Sequence, residues 1–419
     1  MAGTGHRITR RGFLAGSAGA AAALAVVPRH VLGGQGNVPP SDTFGAALIG
    51  CGGRGGGTFR DLKGKHGLET RALAMCDVHE GRLASALKRA GSSCEGYKDF
   101  RRLLERRDIE VVAIATPPHW HALVSIAAME AGKDVVCEKP MTRFIAEGRA
   151  VVEAQRRYGR VFQVGTYGRF GMASKQNNRQ TRKLMLSGLL KPCKGRYLHR
   201  GGLKVKEWSG RLDLAPQPVP DGLDWDLYCG PSPLKPYTPL RHGGTHRWFW
   251  DYEGGGLADM GQHKLDPITW LFGKDGTAPV EVEAHAPPAH PEVTGMWGWI
   301  KFTYADGFQI VLESGEWGEP TGLRSQAVRP DDLSAEDRKK FDALPDPEPL
   351  VDFGEAVKTG KKAGGHAEAA HRTACLMHLA NIAIRTGRKI RFDPEKEVVV
   401  GDDEANRLAY QPMRAPWHL

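Results

Sequence analysis

Short apolar runs alternate with stretches of helical periodicity through the first third of the chain. The runs FGAALIG, TRALAMCD, EVVAIATPP and DVVCEKP begin at Phe44, Thr70, Glu110 and Asp134 and have the length and composition of buried strands. The stretches between them, such as HALVSIAAMEAG, repeat apolar residues at helical spacing. This alternation predicts an α/β domain built on a parallel, doubly wound sheet.

The pattern changes after about Tyr158. The stretches GRYLHRGGL, VEVEAHA and WGWIKFTYADGFQIVLES alternate apolar and polar positions, as antiparallel strands do when one face of the sheet is covered. We therefore expect a second domain of α+β type with an open, mostly antiparallel sheet. A proline-rich stretch at 214–240 is too long for a simple connection, which is typical of functional loops. A late helix that begins near His366 is expected to pack back on the first domain.

The length of the chain agrees with two cores, because single cores seldom exceed about 250 to 300 residues. The patterns divide the 419 residues into an N-terminal region at 1–41, the α/β domain at 42–160, the α+β domain at 161–400 and a C-terminal tail at 401–419. Hydrophobic residues at 41% and charged residues at 25% are ordinary for a globular protein. No apolar run reaches the ~20 residues that a membrane span needs.

The N-terminal region has its own signature. Arg10 and Arg11 are followed by Phe13, Leu14 and a weakly apolar stretch rich in alanine and glycine. This arrangement resembles a twin-arginine export signal, so we expect the twin-arginine export machinery as a partner and a periplasmic or otherwise exported protein. No clean small-x-small cleavage site follows, which leaves a retained membrane anchor as an alternative.

Charge and cysteine usage argue against a nucleic-acid-binding protein, a disulfide-rich protein and a protein with a structural metal site. The formal net charge is +10, but four of the positive charges lie in the first 29 residues, before any acidic residue. No cluster of basic residues is interleaved with aromatic residues, so we expect no nucleic-acid partner. The seven cysteines are scattered without zinc-ligand spacing, which argues against a disulfide framework and a structural metal.

The glycine-rich segment GCGGRGGG joins the first predicted strand to a helix. Gly50, Gly52 and Gly55 fit the G-x-G-x-x-G pattern of Rossmann dinucleotide-binding domains, with Gly53 and Arg54 in the same loop. The following helix N-terminus offers free backbone N–H groups to phosphates. A flexible surface loop is the alternative, but the flanking strand and helix disfavour it.

Asp77 ends the second predicted strand, at the position where a carboxylate accepts hydrogen bonds from the adenosine ribose. A carboxylate there repels a 2′-phosphate, so NAD is the expected cofactor. The nearby cations Arg54 and His79 leave NADP possible.

Two further segments lie at the carboxyl ends of strands, where open α/β sheets bind ligands. These are TPPHWHA, which begins at Thr116, and CEKP, which ends at Pro140. Together with GCGGRGGG, CDV and the downstream GGGLADMGQHKLDPITWLFG, they resemble the glucose-fructose oxidoreductase, inositol dehydrogenase and MocA (Gfo/Idh/MocA) family of nicotinamide-dependent enzymes. The resemblance extends from about Phe44 to the C-terminus.

The resemblance implies roles for individual residues. Lys139 corresponds to the lysine of the family's Glu-Lys-Pro motif and is expected beside the nicotinamide and the reacting hydroxyl. Asp259 and His263 correspond to the family's catalytic pair, and as positions i and i+4 they share one face of a predicted helix. A hydride cannot leave a carbinol carbon unless the hydroxyl proton is also removed, which His263 with Lys139 nearby could do. Further cofactor contacts are expected at Thr116, Pro117, His121 and Glu138.

The same segments leave alternatives open. The helix with Asp259 and His263 could instead be a capped, salt-bridged surface helix. Asp259, His263 and Asp266, with His242 or His246, could also form a metal site, although we expect none. Residues expected to contact the substrate are His246, Trp248, Trp250 and Asp266, with the two tryptophans either against sugar C–H surfaces or in the core.

Three functions follow from these observations. The first is an exported oxidoreductase that acts on a hydroxyl of a sugar, sugar derivative or cyclitol and holds and recycles its NAD(H). The second is an NAD-dependent glycoside hydrolase, lyase or epimerase without net redox change. The third, an inactive sugar-binding protein, is disfavoured because Lys139, Asp259 and His263 are all present. We also expect a homo-oligomer, either a dimer or a tetramer.

Overall fold

The computed structural model describes residues 43–190, 192–203 and 214–419. The predicted export signal at 1–41 lies outside these residues. Within the described ranges, every helix is too short or too polar for a transmembrane span.

Six parallel strands form the sheet of the first domain. Their order is β3-β2-β1-β4-β5-β6, and each neighbouring pair is parallel. The order reverses between β1 and β4, which opens a crevice at the carboxyl ends of the strands. The strands are β1 (Phe44–Ile49), β2 (Thr70–Cys76), β3 (Glu95–Tyr97), β4 (Val111–Ile114), β5 (Asp134–Cys137) and β6 (Phe162–Val164).

The helices of this domain cover the sheet because their apolar sides pack against residues such as Leu48, Val112 and Val136, which are 2% exposed or less. Helix starts and ends follow local chemistry: the Asp99 side chain caps α3, and Gly159 takes the left-handed conformation (φ 61°) that ends α5. The helices are α1 (Gly55–Gly64), α2 (Glu80–Ala90), α3 (Phe100–Leu104), α4 (His121–Glu130) and α5 (Ile145–Tyr158).

The second domain contains a six-stranded sheet with the order β12-β11-β8-β9-β10-β7. All neighbours are antiparallel except β10 and β7. One face is buried at Val282, Ile300 and Phe302, each fully shielded, as the alternating sequence pattern predicts. The predicted fold class, a Rossmann-type sheet followed by an α+β domain, is confirmed. The strands are β7 (Arg196–Arg200), β8 (Glu281–His285), β9 (Trp299–Thr303), β10 (Gln309–Glu313), β11 (Ile390–Asp393) and β12 (Val398–Val399).

One long helix, α12, belongs to both cores. It packs on β8 and α9 of the second domain and also on α5 and β6 of the first. Ion pairs such as Arg149–Glu368, at 2.9 Å, add to this contact. The helices of this part are α6 (Gly168–Ala173), α7 (Gln176–Ser187), α8 (Trp225–Cys229), α9 (Gly255–Leu271), α10 (Ala335–Ala343), α11 (Phe353–Thr359), α12 (Ala367–Thr386) and α13 (Asp403–Leu408).

Candidate functional site

A cavity of about 670 Å³ lies at the carboxyl ends of the first sheet and is lined by residues of both domains. It extends from the glycine-rich loop to the exposed side of α9. The sequence-predicted residues that line it are Gly50, Gly52, Gly53, Arg54, Asp77, Thr116, Pro117, Glu138, Lys139, His246, Asp259 and His263.

The glycine-rich loop has a geometry that larger residues could not adopt. Gly50 has φ +93°, and a Cβ on it would lie 2.5 Å from the Ala115 carbonyl carbon. A Cβ on Gly55 would lie 2.1 Å from the Gly50 carbonyl oxygen. The first turn of α1 carries no acidic side chain, so no carboxylate opposes a phosphate at the positive end of the helix dipole. The loop therefore fits a dinucleotide pyrophosphate.

Asp77 is held rigidly at the end of β2 and is 8% exposed. Its Oδ2 accepts a hydrogen bond from Cys51 N at 2.7 Å, and its Oδ1 accepts one from His79 N at 2.8 Å. Burial raises its pKa, while these N–H groups and the Arg82 guanidinium oppose the rise. Because each carboxylate oxygen has a second lone pair, the side chain can still accept a bond from a ribose hydroxyl.

Arg54, which the sequence left as a possible partner for a 2′-phosphate, is already paired with acidic side chains. Its Nε donates to Glu138 Oε1 at 2.8 Å and its Nη2 donates to Asp61 Oδ2 at 2.8 Å, so carboxylates already compensate its charge. Arg82, which the sequence reasoning missed, lines the cavity beside Asp77 instead. Its only sequence signal is its position one turn into α2, three residues after the His79 cap.

Replacing Asp77 with alanine is expected to weaken NAD binding about 10-fold and to shift the NAD:NADP affinity ratio toward NADP. The reason is that the variant loses a ribose acceptor and a negative charge that repels a 2′-phosphate. Fluorescence titration with each dinucleotide measures the ratio. Asp77→Asn keeps the shape and one acceptor oxygen, but its NH2 group faces one of the two backbone N–H groups that Asp77 accepts from, so its affinity for NAD should lie between those of the unmutated protein and Asp77→Ala. An unchanged ratio in Asp77→Ala would contradict the assignment.

Lys139 and Asp259 form an ion pair at the end of the cavity that is opposite the glycine-rich loop. Lys139 Nζ donates to Asp259 Oδ1 at 2.7 Å and to the Asp259 carbonyl oxygen at 2.8 Å. Arg247 Nε lies 3.1 Å from the same Oδ1. Burial alone would raise the pKa of Asp259, but Lys139 and Arg247 outweigh it and hold the pKa below its ordinary value. The carboxylate is therefore ionised and fixed between two cations.

His263 lies one turn after Asp259 on α9 and also lines the cavity. Burial and the nearby Lys139 ammonium lower its pKa, so the imidazole is neutral at neutral pH and can accept a proton. The alternative of a surface helix fails because most of α9 is buried, including Leu257 and Leu265. The side of α9 that carries Asp259 and His263 lines the cavity.

Two predicted cofactor contacts, His121 and Glu138, are hydrogen-bonded to other parts of the protein. His121 is 1% exposed, and its Nδ1 and Nε2 lie 2.7 Å and 2.8 Å from the carbonyl oxygens of Pro140 and Thr116, so whichever nitrogen carries the proton donates to one of them. It braces two cavity-lining loops and has no surface for a cofactor. Glu138 lines the cavity but is bound by Arg54 Nε and by Thr58 Oγ1 at 2.7 Å. Its role is to anchor the glycine-rich loop to β5.

Of three predicted substrate contacts, His246, Trp248 and Trp250, the histidine lines the cavity and the two tryptophans do not. His246 lines the cavity, and its Nε2 lies 3.5 Å from Glu253 Oε2. Trp250 is 4% exposed and donates from Nε1 to the His290 carbonyl oxygen at 2.9 Å, so it belongs to the core. Trp248 is half-buried and does not line the cavity.

Asp266 is fully buried and has no surface to offer a substrate or a metal. Its carboxylate accepts two bonds from Arg169, at 2.5 Å from Nη2 and 2.9 Å from Nε. In the part of the chain that the structure describes, Asp259, His263 and Asp266 therefore do not converge into a metal site. Among the described residues, one other group of possible metal ligands lies close together: His371, Cys375 and Glu397. The Glu397 carboxylate there is already paired with Arg149 and Arg372.

Residues from the proline-rich stretch complete the cavity wall. The Tyr228 carbonyl oxygen, on α8, accepts bonds from His119 Nε2 at 2.8 Å and Trp120 Nε1 at 3.1 Å. Arg247 and Glu253 also line the cavity. These contacts join residues more than a hundred positions apart or depend on a loop conformation, so no local sequence pattern signals them.

Two family models match the chain. One, described as "Oxidoreductase family, NAD-binding Rossmann fold", matches residues 44–166. The other, described as "Oxidoreductase family, C-terminal alpha/beta domain", matches residues 174–419, more than half of the chain. The chain belongs to the Gfo/Idh/MocA family. The predicted family and its NAD-binding domain are thereby confirmed.

Curated relatives match parts of this Gfo/Idh/MocA chain. It is 35% identical over 130 residues to inositol 2-dehydrogenase of Salmonella typhimurium, covering 30% of this chain and 38% of that protein. It is 34% identical over 196 residues to levoglucosan dehydrogenase of Pseudarthrobacter phenanthrenivorans, covering 46% and 40%. It is 31% identical over 175 residues to a glycosyl hydrolase family 109 protein of Shewanella baltica, covering 36% and 38%. The matches thus span about two fifths of each relative's own length.

Solved structures share the fold at low sequence identity. An oxidoreductase domain protein from Kribbella flavida matches with a TM-score of 0.53 at 18% identity, over 83% of this chain and 99% of that chain. The WlbA dehydrogenase from Bordetella pertussis, in complex with NADH and UDP-GlcNAcA, matches with a TM-score of 0.53 at 15% identity, over 84% and 99%. These structures therefore share the fold of both domains.

Proposed function

We propose that this Gfo/Idh/MocA protein is a nicotinamide-dependent oxidoreductase that acts on a CH–OH group of a sugar, a sugar derivative or a cyclitol. The observation that carries the proposal is the Lys139–Asp259 pair, 2.7 Å between Nζ and Oδ1, in the same cavity as the glycine-rich loop and His263. The names of two relatives, inositol 2-dehydrogenase and levoglucosan dehydrogenase, support this substrate class.

Each residue of this group has a distinct task. NAD, when bound, supplies a hydride acceptor for the carbinol carbon. The Lys139 ammonium, anchored by Asp259, donates a hydrogen bond to the reacting hydroxyl oxygen and orients it. The neutral His263 imidazole takes the hydroxyl proton as the C–H bond breaks. Arg247 holds Asp259 from the other side, so the carboxylate stays ionised and Lys139 stays in place.

We further propose that the dinucleotide stays bound between turnovers. The twin-arginine-like segment supports export of a folded protein, and an exported enzyme has no soluble nicotinamide pool to reoxidise a released cofactor. A sustained reaction is then redox-neutral overall: the hydride returns to the same sugar or passes to a second one.

An NAD-dependent glycoside hydrolase, lyase or epimerase is the second candidate, and the similarity to a glycosyl hydrolase family 109 protein supports it. Oxidation of a ring hydroxyl to a ketone acidifies the neighbouring C–H. Once His263 has released the hydroxyl proton to water, its neutral imidazole removes that C–H proton while the Lys139 ammonium donates a hydrogen bond to the ketone oxygen. Removal of the proton opens the way to epimerisation or to elimination of a glycosidic substituent.

The purified protein is expected to retain its dinucleotide through dialysis and to turn over sugar many times without added NAD. Mass spectrometry of the denatured protein gives the dinucleotide content, and chromatography of the sugars gives the turnover. A glycoside, a free sugar and a cyclitol tested in parallel distinguish hydrolysis, epimerisation and net oxidation. Activity lost on dialysis and restored by added NAD, with stoichiometric NADH, would instead establish an ordinary dehydrogenase and contradict internal recycling.

A further inference from the structure

Glu253 places a buried carboxylate in the wall of the large cavity, two residues before α9 begins. It is 2% exposed, and among the described residues its Oε1 has no hydrogen-bond partner. Its Oε2 lies 3.5 Å from His246 Nε2 and 4.0 Å from Arg247 Nε, both longer than the usual N–H···O distance of about 2.7 to 3.2 Å. Burying a carboxylate without hydrogen bonds is costly unless an opposite charge compensates it.

His246 supplies such a charge when both of its ring nitrogens carry hydrogen. It belongs to the 3₁₀ segment Gly243–Trp248 and also lines the cavity. Its Nδ1 contacts the Gly243 carbonyl oxygen, which can only accept, so Nδ1 carries a hydrogen. A neutral ring would then turn the Nε2 lone pair toward the Glu253 carboxylate, and the two would repel each other. A proton on Nε2 replaces this repulsion with attraction between an imidazolium and a carboxylate.

Two neighbouring histidines have no such counter-charge. Burial lowers the pKa of His119 to about 3 and the pKa of His242 to about 4, so both rings are neutral at neutral pH. Among the described residues, no carboxylate is close enough to raise either pKa. Of these three histidines, His246 is therefore the one whose surroundings favour the imidazolium.

The His246–Glu253 pair continues a line of charged groups that starts at the proposed reaction centre. Lys139 Nζ lies 2.7 Å from Asp259 Oδ1, and Arg247 Nε lies 3.1 Å from the same oxygen and 4.0 Å from Glu253 Oε2. All five side chains line one cavity. A glycoside whose reacting hydroxyl contacts Lys139 can therefore extend along this wall toward His246. Because Nε2 is 3.5 Å from Glu253, its N–H is free to donate to a substrate oxygen.

We propose that His246 is a general acid that protonates the leaving oxygen of a glycoside and that Glu253 is the positioning residue that keeps it protonated. The inference rests on the proposed function, because the substituent can leave only after a ring hydroxyl has been oxidised to a ketone. His263 then removes the acidified C–H proton, the electron pair of that bond forms a C=C bond, and the bond to the glycosidic oxygen breaks. The proton on His246 Nε2 passes to that oxygen, which gives an unsaturated ketone and a free alcohol.

Addition of water in the reverse sense restores both histidines. The water oxygen bonds to the carbon that lost its substituent, His246 takes a proton from that water, and His263 returns its proton to the neighbouring carbon. Return of the hydride to the ketone carbon then completes a hydrolysis without net redox change. A neutral ring at His246 could not supply the first proton, which is why the Glu253 carboxylate matters.

Glycosides that differ only in their leaving group test this role. Methyl and 4-nitrophenyl glycosides of glucose, galactose and mannose are supplied in both anomeric forms, and chromatography measures the sugar released. Methoxide leaves poorly without a proton, whereas 4-nitrophenolate leaves readily. We expect His246→Asn and Glu253→Gln to slow cleavage of the methyl glycoside by about 100-fold or more and of the 4-nitrophenyl glycoside by less than about 10-fold. In Glu253→Gln the amide can donate to Nε2, which then no longer holds the proton.

Bound NADH gives a second readout. In both variants the methyl glycoside is still oxidised while elimination stalls, so the absorbance of bound NADH in the steady state should rise above that of the unmutated protein. Glu292→Gln is the matched control, because Glu292 is paired with Lys235 and Arg241 and lies outside the cavity lining. This variant should give the same ratio of the two cleavage rates as the unmutated protein.

The ratio of two rates within one sample does not depend on the fraction of protein that is folded. If His246→Asn and Glu253→Gln slow both glycosides by the same factor, without accumulation of NADH, the proposal is overturned. It is also overturned if the unmutated protein reduces its bound NAD with one of these glycosides but cleaves none of them, an outcome that leaves the proposed oxidoreductase standing. A protein whose bound NAD is reduced by no sugar, glycoside or cyclitol would refute the proposed function and this inference with it.

Discussion

Replacing Lys139 or His263 with alanine is expected to lower kcat by about 100-fold or more while dinucleotide binding persists. Lys139→Ala removes the ammonium that orients the substrate hydroxyl, and His263→Ala removes the group that takes its proton. The fold should survive the first change because Arg247 still holds Asp259 at 3.1 Å. Steady-state kinetics with the best sugar substrate, together with mass-spectrometric dinucleotide content, measures both effects.

The pH profile separates these roles from a general loss of structure. A base acts in its deprotonated form, and the pKa of His263 is lowered by burial and by Lys139. The acid limb of kcat/KM should therefore lie below pH about 6.5, the ordinary histidine value, and should disappear in His263→Ala. Lys264→Ala, on the same helix but outside the cavity lining, is the control and should keep full activity. Unchanged turnover in both catalytic variants would refute the assignment.

The dinucleotide end of the site was largely predictable because its determinants are local in sequence. Gly50 and Gly55 are required by a strand–loop–helix turn that spans a few residues, and Asp77 follows directly from the end of the second strand. Lys139 lies at the end of another strand of the same sheet. Parallel strands bring their carboxyl ends together, so a pattern of strands is enough to place these residues at one crevice.

Helical spacing predicted only in part which residues of α9 line the cavity. Asp259, His263 and Asp266 lie on one side of an ideal helix, and the first two do meet the cavity. Asp266 lies about 10 Å further along the axis than Asp259, because an α-helix rises 1.5 Å per residue. That distance takes its side chain out of the cavity and into the interior, where Arg169 binds it. Periodicity specifies the face of a helix but not the depth at which each residue is buried.

The remaining site residues depend on contacts that sequence patterns do not encode. Arg247 meets Asp259 because a short 3₁₀ segment, Gly243–Trp248, turns back toward α9. Tyr228 meets His119 across 109 positions through a backbone carbonyl, which every residue possesses. The choice between a bonded histidine, such as His121, and one that faces the cavity, such as His263, likewise requires the positions of distant carbonyl groups.

The second large effect concerns stability. Asp266→Asn is expected to reduce the free energy of unfolding by about 3 to 5 kcal/mol, the usual cost of leaving a buried charge without its partner. Arg169, which is 1% exposed, would keep one bond to the asparagine amide oxygen, its bond to the Gly364 carbonyl oxygen at 2.8 Å and Asp275 at 3.6 Å. It would lose the negative charge that compensates it, and the asparagine NH2 group would face its second guanidinium N–H. This pair joins α6 to α9, and the Gly364 bond extends it to the loop before α12. Urea unfolding followed by tryptophan fluorescence measures the change.

Two matched variants test whether the lost stability comes from the unpaired charge. The double variant Arg169→Met with Asp266→Leu removes both charges and is expected to recover most of the loss, since well-packed apolar residues commonly replace a buried pair without cost. Asp342→Asn breaks the exposed i,i+4 pair with Arg338, at 3.1 Å, and should change stability by less than about 1 kcal/mol. If Asp266→Asn were as stable as the unmutated protein but had a raised KM for sugar, Asp266 would be a substrate contact after all, and its burial in the resting protein would have to be relieved on binding.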